Sequence, residues 1–519
     1  MDTAPGTRCD RLPRRVLIAL VGLAWSAQGT AATADGPGPA STVADAPPAE
    51  SVADRSPPLS REQAYTEFKR LLEAGEHAAA VQQARLVVEL AEHAQPPDAE
   101  ELQVALMNLG VAERLAGDFV AAEATYQRVI DLIEASGRLA SPRLARAQAG
   151  LALTYYAARR YDLAVPGFER AIALNRRAEG LFNEDQLPLL EKQADALTEV
   201  GRSEEALQAH RYALRLVERR AGSQSLRYAK ELESLGRWYT RARAYESSRM
   251  TLRRAADLVA TLEGPESLQL IGPLTAFAEN ARRWLLDPQS RPGQSVDEER
   301  RAMYHDPVMP GPLELSAATV QTEGLRALER AAAIVDASPD APPASIAAVR
   351  VQLGDLNQIR QAPDKAVQHY QQAWQAAAQA TQDGRPLRQV LFGDPVLLYY
   401  AAPSGWDRHA GRPPEEAERR NVVLELTVTA DGRVRDPHVL TDAGDPRLGV
   451  RAQRATESAR YRPRFEDGQP VAAPGVRFVQ PFYVLVKEAP SGATPPGEPA
   501  QPRQGVEPPP PPGTGQGGG

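Results

Sequence analysis

The chain has 519 residues, a net charge of −7 and 42% hydrophobic residues, of which few are aromatic. The acidic balance, with no basic stripe, argues against a nucleic-acid partner, and the apolar content is enough for ordinary cores. Its single cysteine, Cys9, excludes a disulfide framework and a cysteine zinc site.

Arg11, Arg14 and Arg15 precede an apolar run from Val16 to Trp25, and Ala32-Thr33-Ala34 offers a small-residue cleavage site. This pattern predicts that residues 1–34 are a cleaved export signal, which would place the protein in the periplasm. The alternative is an uncleaved anchor in the inner membrane facing the periplasm, the one route to membrane association in this sequence. The polar residues Ser26, Gln28, Thr30 and Thr33 shorten the apolar stretch below what a spanning helix wants. Residues 35–60 are rich in Ala, Pro, Asp and Ser and predict a disordered linker.

From residue 61 the chain repeats itself. Ala80, Ala122, Ala164, Ala206 and Ser248 recur every 42 residues, and four positions later come Ala84, Tyr126, Phe168, His210 and Leu252. Twelve positions before the small residue stand Phe68, Gly110, Ala152, Ala194 and Gly236. A fixed period of this size predicts stacked pairs of helices. The small residues mark close approach of the two helices of a pair, and the large ones fill the gap to the next pair. The turn positions are Gly75, Gly117, Arg159, Gly201 and Arg243, where glycine suits positive φ. Ser141-Pro142 reads as an N-cap followed by proline at the first helical position.

Leu235-Gly236-x-x-Tyr239, Leu151-Ala152-x-x-Tyr155, Ala122-x3-Tyr126 and Ala164-x3-Phe168 resemble the tetratricopeptide repeat pattern, and the long step is similar to the kinesin-light-chain type. Ser248, His210 and Gln193 depart from that pattern. Ala366, Tyr370 and Ala373 match a further repeat, and Gly324, Leu328 and Ala331 lie one period earlier, so the array runs over residues 61–382 in six or seven units. A Pro-, Gly- and charge-rich stretch near residues 287–312 predicts a loop insertion.

The character changes over residues 383–488. Gln389–Ala401 is apolar and β-prone. Asn421–Thr429 nearly alternates, Asp431-Gly432 is a hairpin turn, and Val434–Leu440 returns. Asp445–Tyr461 has helical spacing, and Val476–Val486 is a final strand. The strand ending in Ala430-Asp431-Gly432-Arg433, the helix, Tyr461-Arg462-Pro463, Asp467-Gly468-Gln469-Pro470-Val471 and Phe482-Tyr483-Val484-Leu485 together resemble the C-terminal domain of TonB-type energy transducers. The expected fold is therefore an α-helical solenoid followed by a small α+β domain, a three-stranded sheet plus a helix. Residues 489–519 are Pro- and Gly-rich and predict a disordered tail.

No catalytic constellation is legible, and no cofactor or metal site is expected. The seven histidines lack HExxH spacing, and there is no GxSxG or Walker loop. Gly513–Gly518 fits GxGxxG only by composition. His210, in a ring position, reads as packing. Arg447, Arg451 and Arg454 on one helix face, followed by Arg460, Arg462 and Arg464, read as a solvated charged face.

Two binding surfaces are expected. By phase, the concave face of the solenoid offers Lys69, Arg114, Tyr156, Asp195, Thr198, Arg237 and Thr240 from the first helix of each pair. The last strand, with Val476, Phe478, Gln480, Phe482 and Val484, is where the TonB resemblance implies that a partner's peptide adds to a sheet edge. Pro481, lacking an N–H, suits an edge strand. The partners expected are proteins or peptides. The resemblance also implies outer-membrane transporters, for a chain that couples an inner-membrane motor to them.

Overall fold

The computed structural model describes residues 60–287, 316–382, 385–403 and 417–485. The expected signal, the linker before Ser60, the insertion after Asp287 and the tail lie outside the described residues.

Among the described residues seven helix pairs follow one another: α1 Arg61–Glu73 with α2 His77–Glu92, α3 Ala99–Leu115 with α4 Phe119–Ala135, and α5 Pro142–Ala157 with α6 Tyr161–Glu179. Then come α7 Leu187–Glu199 with α8 Ser203–Ala221, α9 Leu226–Arg241 with α10 Tyr245–Glu263, α11 Ile271–Leu286 with α12 Ala317–Ala337, and α13 Pro343–Ile359 with α14 Pro363–Ala376. The first helix of each pair is its helix A and the second its helix B. The expected insertion thus falls between the two helices of the sixth pair.

Local chemistry sets the helix starts. Ser60 and Gln63 form a capping box, Asp98 accepts from the Glu100 and Glu101 N–H groups, and Ser141 caps a helix with Pro142 in its first turn. The described turns within pairs, those of every pair but the sixth, close alike. At the second, Asp118 N–H donates to Glu113 O (2.9 Å) and Gly117 N–H to Arg114 O (3.2 Å), the Schellman pattern. The turn residue is left-handed whether or not it is glycine: φ is +84° at Gly117, +58° at Arg159, +63° at Arg243 and +60° at Gln361. The motif's hydrogen bonds hold the side-chain-bearing residues there against a cost of roughly 1–2 kcal/mol each.

The small-residue position is fully buried at Ala80, Ala122, Ala164, Ala206, Ser248 and Ala366. The ring position explains the glycines. A Cβ at Gly110 would stand 2.9 Å from the Tyr126 ring, and one at Gly150, in the next pair, 2.2 Å. Tyr126 is therefore sandwiched between its own helix A and the next one. Leu252 over Gly236 (2.5 Å) and Tyr370 over Gly354 (2.2 Å) repeat the contact. His210 packs 5.3 Å from the Trp238 ring, and burial pushes its pKa down to about 3, so it is neutral packing.

Beyond α14, β1 Thr381–Gln382 pairs with β2 Arg385–Pro386. The β-prone stretch at Gln389–Ala401 divides: its first part belongs to a helix, α15 Leu387–Phe392, and β3 Val396–Tyr399 follows Asp394-Pro395. The rest comprises β4 Ala417–Val428, β5 Val434–Thr441, α16 Pro446–Thr456, β6 Arg460–Arg462, β7 Arg464–Glu466, β8 Gln469–Val471 and β9 Ala473–Leu485. The main sheet is antiparallel in the order β5-β4-β9. The expected helix over 445–461 ends at Thr456, because residues 460–462 leave it to pair with β3. Val422 and Leu424 of β4 pack with Leu448 and Ala452 of α16 and Phe482 of β9, so one face of the sheet is core.

Candidate functional site

The expected inner-face residues divide into exposed, shared and buried. Lys69 is exposed, with its ammonium 5.0 Å from the Tyr65 ring centroid. Arg237 is exposed; its Nε donates to Glu233 Oε1 (3.0 Å) and its Nη2 to the Gly272 carbonyl (3.1 Å). Arg114 is half-buried beside Tyr126.

Asp195 is the centre of a shared cluster. It is only 4% exposed and meets Arg241, Lys192 (3.4 Å) and the Tyr156 hydroxyl (3.5 Å). Lys192 also sits 5.4 Å from the Tyr156 ring centroid. Burial, then the Asp195 charge, raises the Tyr156 hydroxyl well above its ordinary value. Thr198 accepts from Trp238 Nε1 (2.7 Å). Thr240 is buried, and its hydroxyl is taken by Ser248 (2.8 Å), Asn280 (3.1 Å) and the Gly236 carbonyl, so it packs helices instead of lining a surface. Beside this face lies Glu231, which sequence reasoning missed. Burial, then the charge of Glu191, pushes it up to about 7.

On β9 the alternation of the strand decides what is offered. Phe482 and Gln480 are buried, and Val476, Phe478 and Val484 pack against the two cores of the domain. All five expected strand residues therefore face inward. The side chains on the other face are Arg477, Val479 and Tyr483, with Val479 51% exposed. Among the described strands β9 pairs only with β4, which leaves its other edge open. Pro481 lies opposite Asn421, and Gln480 Nε2 donates to the Pro481 carbonyl (2.7 Å).

The two regions meet at the seventh pair. The Asp195 and Arg237 phase lies eleven residues before the small residue, which at Ala366 gives Asp355; the Thr198 and Thr240 phase gives Gln358. Both touch the C-terminal block. Arg462 Nε and Nη2 donate to the two Asp355 carboxylate oxygens (2.9 and 2.8 Å), and its Nη1 donates to the Leu391 carbonyl (2.9 Å). Tyr370 Oη donates to Asp355 Oδ1 (3.0 Å), and Gln358 Nε2 to the Asp431 carbonyl (2.5 Å). Arg462 is thus buried and paired, not part of a solvated charged face, whereas Arg447, Arg451 and Arg454 are exposed.

Residues 101–177 match the tetratricopeptide repeat family, and residues 414–479 match the family described as Gram-negative bacterial TonB protein C-terminal. The chain carries a helical-repeat array of tetratricopeptide type, followed by a domain similar to the TonB C-terminal domain. Among solved structures it is similar to nearly identical TPR-like repeats described as kinesin light chain from Podosopora anserina, at 18% identity, covering 39% of this chain and 96% of that one, with a TM-score of 0.35. BtubC (BKLC) from P. vanneervenii is 19% identical over 53% of this chain and 94% of that one (TM-score 0.36). The apo form of RapI is 12% identical over 61% and 97% (TM-score 0.35). No curated protein is detectably similar to the chain.

Tetratricopeptide and TonB-like domains are protein-interaction modules, and the chemistry of both surfaces suits that use. The helix-A face presents ion pairs and aromatic faces, which recognise side chains. Among the described strands the free β9 edge presents main-chain groups, the chemistry with which a sheet edge can pair an extended backbone. Among the described residues no group of three His, Cys, Asp or Glu side chains could hold a metal ion, and no helix is long and apolar enough to cross a membrane.

Proposed function

We propose that the protein is an exported, non-enzymatic scaffold of the bacterial cell envelope that holds one protein partner on the helix-A face of its solenoid and another on the β9 edge. The observation that carries this reading is a β9 edge that no described strand pairs, beyond a repeat array whose helix-A face presents Lys69, Tyr156 and Arg237. Strand addition at β9 supplies affinity through backbone hydrogen bonds, and the outward Arg477, Val479 and Tyr483 supply selectivity. Photo-crosslinking residues placed at Arg237 and at Val479 in living cells test it. The expected result is two different protein adducts, one from each position. Absence of adducts from both positions contradicts it.

The second reading is an energy transducer coupled to outer-membrane transporters, favoured by the match of residues 414–479 to TonB C-terminal sequences. The mass and location of the mature protein separate the two. A soluble periplasmic chain beginning near Asp35 supports the scaffold. A full-length chain held in the inner membrane supports the transducer, and TonB-box peptides of transporters then become the ligands to titrate against β9.

A further inference from the structure

We propose that the TonB-like domain is the closing unit of the solenoid, standing where an eighth repeat would stack, and that the Asp355–Arg462 pair is the latch that holds it there. Three observations carry this. First, a ring such as Tyr126 is covered on its far side by the helix A of the next repeat, at Gly150. Among the described residues no further repeat stands beside Tyr370. Its cover is Phe392 and Phe465, whose rings lie 6.0 and 6.1 Å from it and 4.8 Å from each other.

Second, both inner-face phases of the last repeat are occupied. Asp355 holds Arg462, and Gln358 holds the Asp431 carbonyl, so the face that Lys69 and Arg237 leave exposed in their repeats is filled here by the C-terminal block. Third, the contact is built from both sides. Asp355 and Arg462 side chains are each only 10% exposed, and their forked geometry matches guanidinium to carboxylate. At Gly432 φ is +75°, and a Cβ would stand 2.1 Å from the Tyr461 carbonyl oxygen and 2.2 Å from Gln358 Nε2, so glycine lets the hairpin tip sit against both. The inner groove therefore ends at the sixth repeat. On the functional reading above, a groove partner and an edge partner then bind at a fixed separation without displacing each other.

Gln371 Nε2 donates to Gln469 Oε1 (3.1 Å) across the same junction, so cysteines at these two positions report docking. In the full chain with Cys9→Ser, the Q371C/Q469C pair is treated with a short bismaleimide. The expected result is a complete intramolecular crosslink, slowed at least about tenfold by Asp355→Leu or Arg462→Met, because either leaves a buried charge unpaired. Far-UV circular dichroism of each variant verifies that the helices remain. The apolar double variant D355L/R462M is expected to crosslink faster than the product of the two single effects. Unchanged rates in both single variants, multiplicative slowing in the double, or no crosslink in the parent overturns the proposal. No partner enters the assay, so its failure is distinct from failure of the scaffold reading.

Discussion

Tyr126 and Tyr370 hold the same position in their repeats, over Gly110 and Gly354 respectively, yet different material covers them. In the second repeat the cover is the glycine-bearing face of the next helix, and the contact is made by van der Waals packing alone. In the seventh it is a pair of phenylalanines from the C-terminal domain, set beside a buried ion pair. A repeat array can therefore be closed by a domain of another fold, provided that domain supplies a ring-sized cover. The polar contacts differ in kind as well. The inner-face carboxylate Asp195 is met by cations of its own and the adjoining repeat, Lys192 and Arg241, whereas Asp355 is met by one from 107 residues away.

Breaking the ion pair separates the two ends most sharply. Arg462→Met leaves the Asp355 carboxylate buried and unpaired, and is expected to cost about 3–5 kcal/mol at the junction, read by denaturant unfolding, with the first four repeats unaffected. Adding a methyl group to the ring contact tests both ends at once. Gly150→Ala and Gly354→Ala each drive a Cβ to 2.2 Å from a tyrosine ring, and each is expected to cost about 1–3 kcal/mol. The first should loosen the second and third repeats. The second should loosen the seventh repeat and, through Tyr370, its contact with Phe392 and Phe465.

The histidine in the ring position adds a pH dependence to the array. Burial, and then the Arg241 charge, holds His210 at about 3, below its ordinary 6.5, so the folded state binds fewer protons there than the unfolded one. Its contribution is complete above pH 6.5 and is lost as pH falls toward 3, by up to about 1.4 kcal/mol per pH unit. His210→Phe is expected to flatten the stability profile over that window in thermal melts. The smallest expected effect is Gln358→Ala, which removes the bond to the Asp431 carbonyl for about 1 kcal/mol at the junction.

The repeat half of the fold was legible because its signal is periodic. Ala80 to Ser248 fix the pattern, and the same pattern, shifted in phase beyond residue 287, recurs at Ala366 and Tyr370. The sheet was legible through Asp431-Gly432 and the alternation of β4. What could not be read was the partner of each side chain. Arg462 stands among Arg460 and Arg464, and nothing local distinguishes the one that is buried, because its carboxylate lies in another domain. Asp355 was reachable in principle, since it shares the phase of Asp195, but phase alone does not say what fills it. Thr240 shows the converse: its phase is that of Tyr156, yet Ser248 and Asn280 draw its hydroxyl into the packing. On β9 the choice between alternate residues depended on which face α16 covers, and a strand flanked by apolar residues on both faces, such as Val479 and Phe478, leaves that open in sequence.

Hydrogen exchange of the intact protein, compared with Arg462→Met, tests the joined ends most directly. Peptides spanning 353–376 and 460–471 are expected to open with one common free energy in the parent and to lose protection together in the variant, while peptides from the first four repeats stay unchanged. Separate opening of the two segments in the parent, or loss of protection in only one of them, would contradict a solenoid closed by its C-terminal domain.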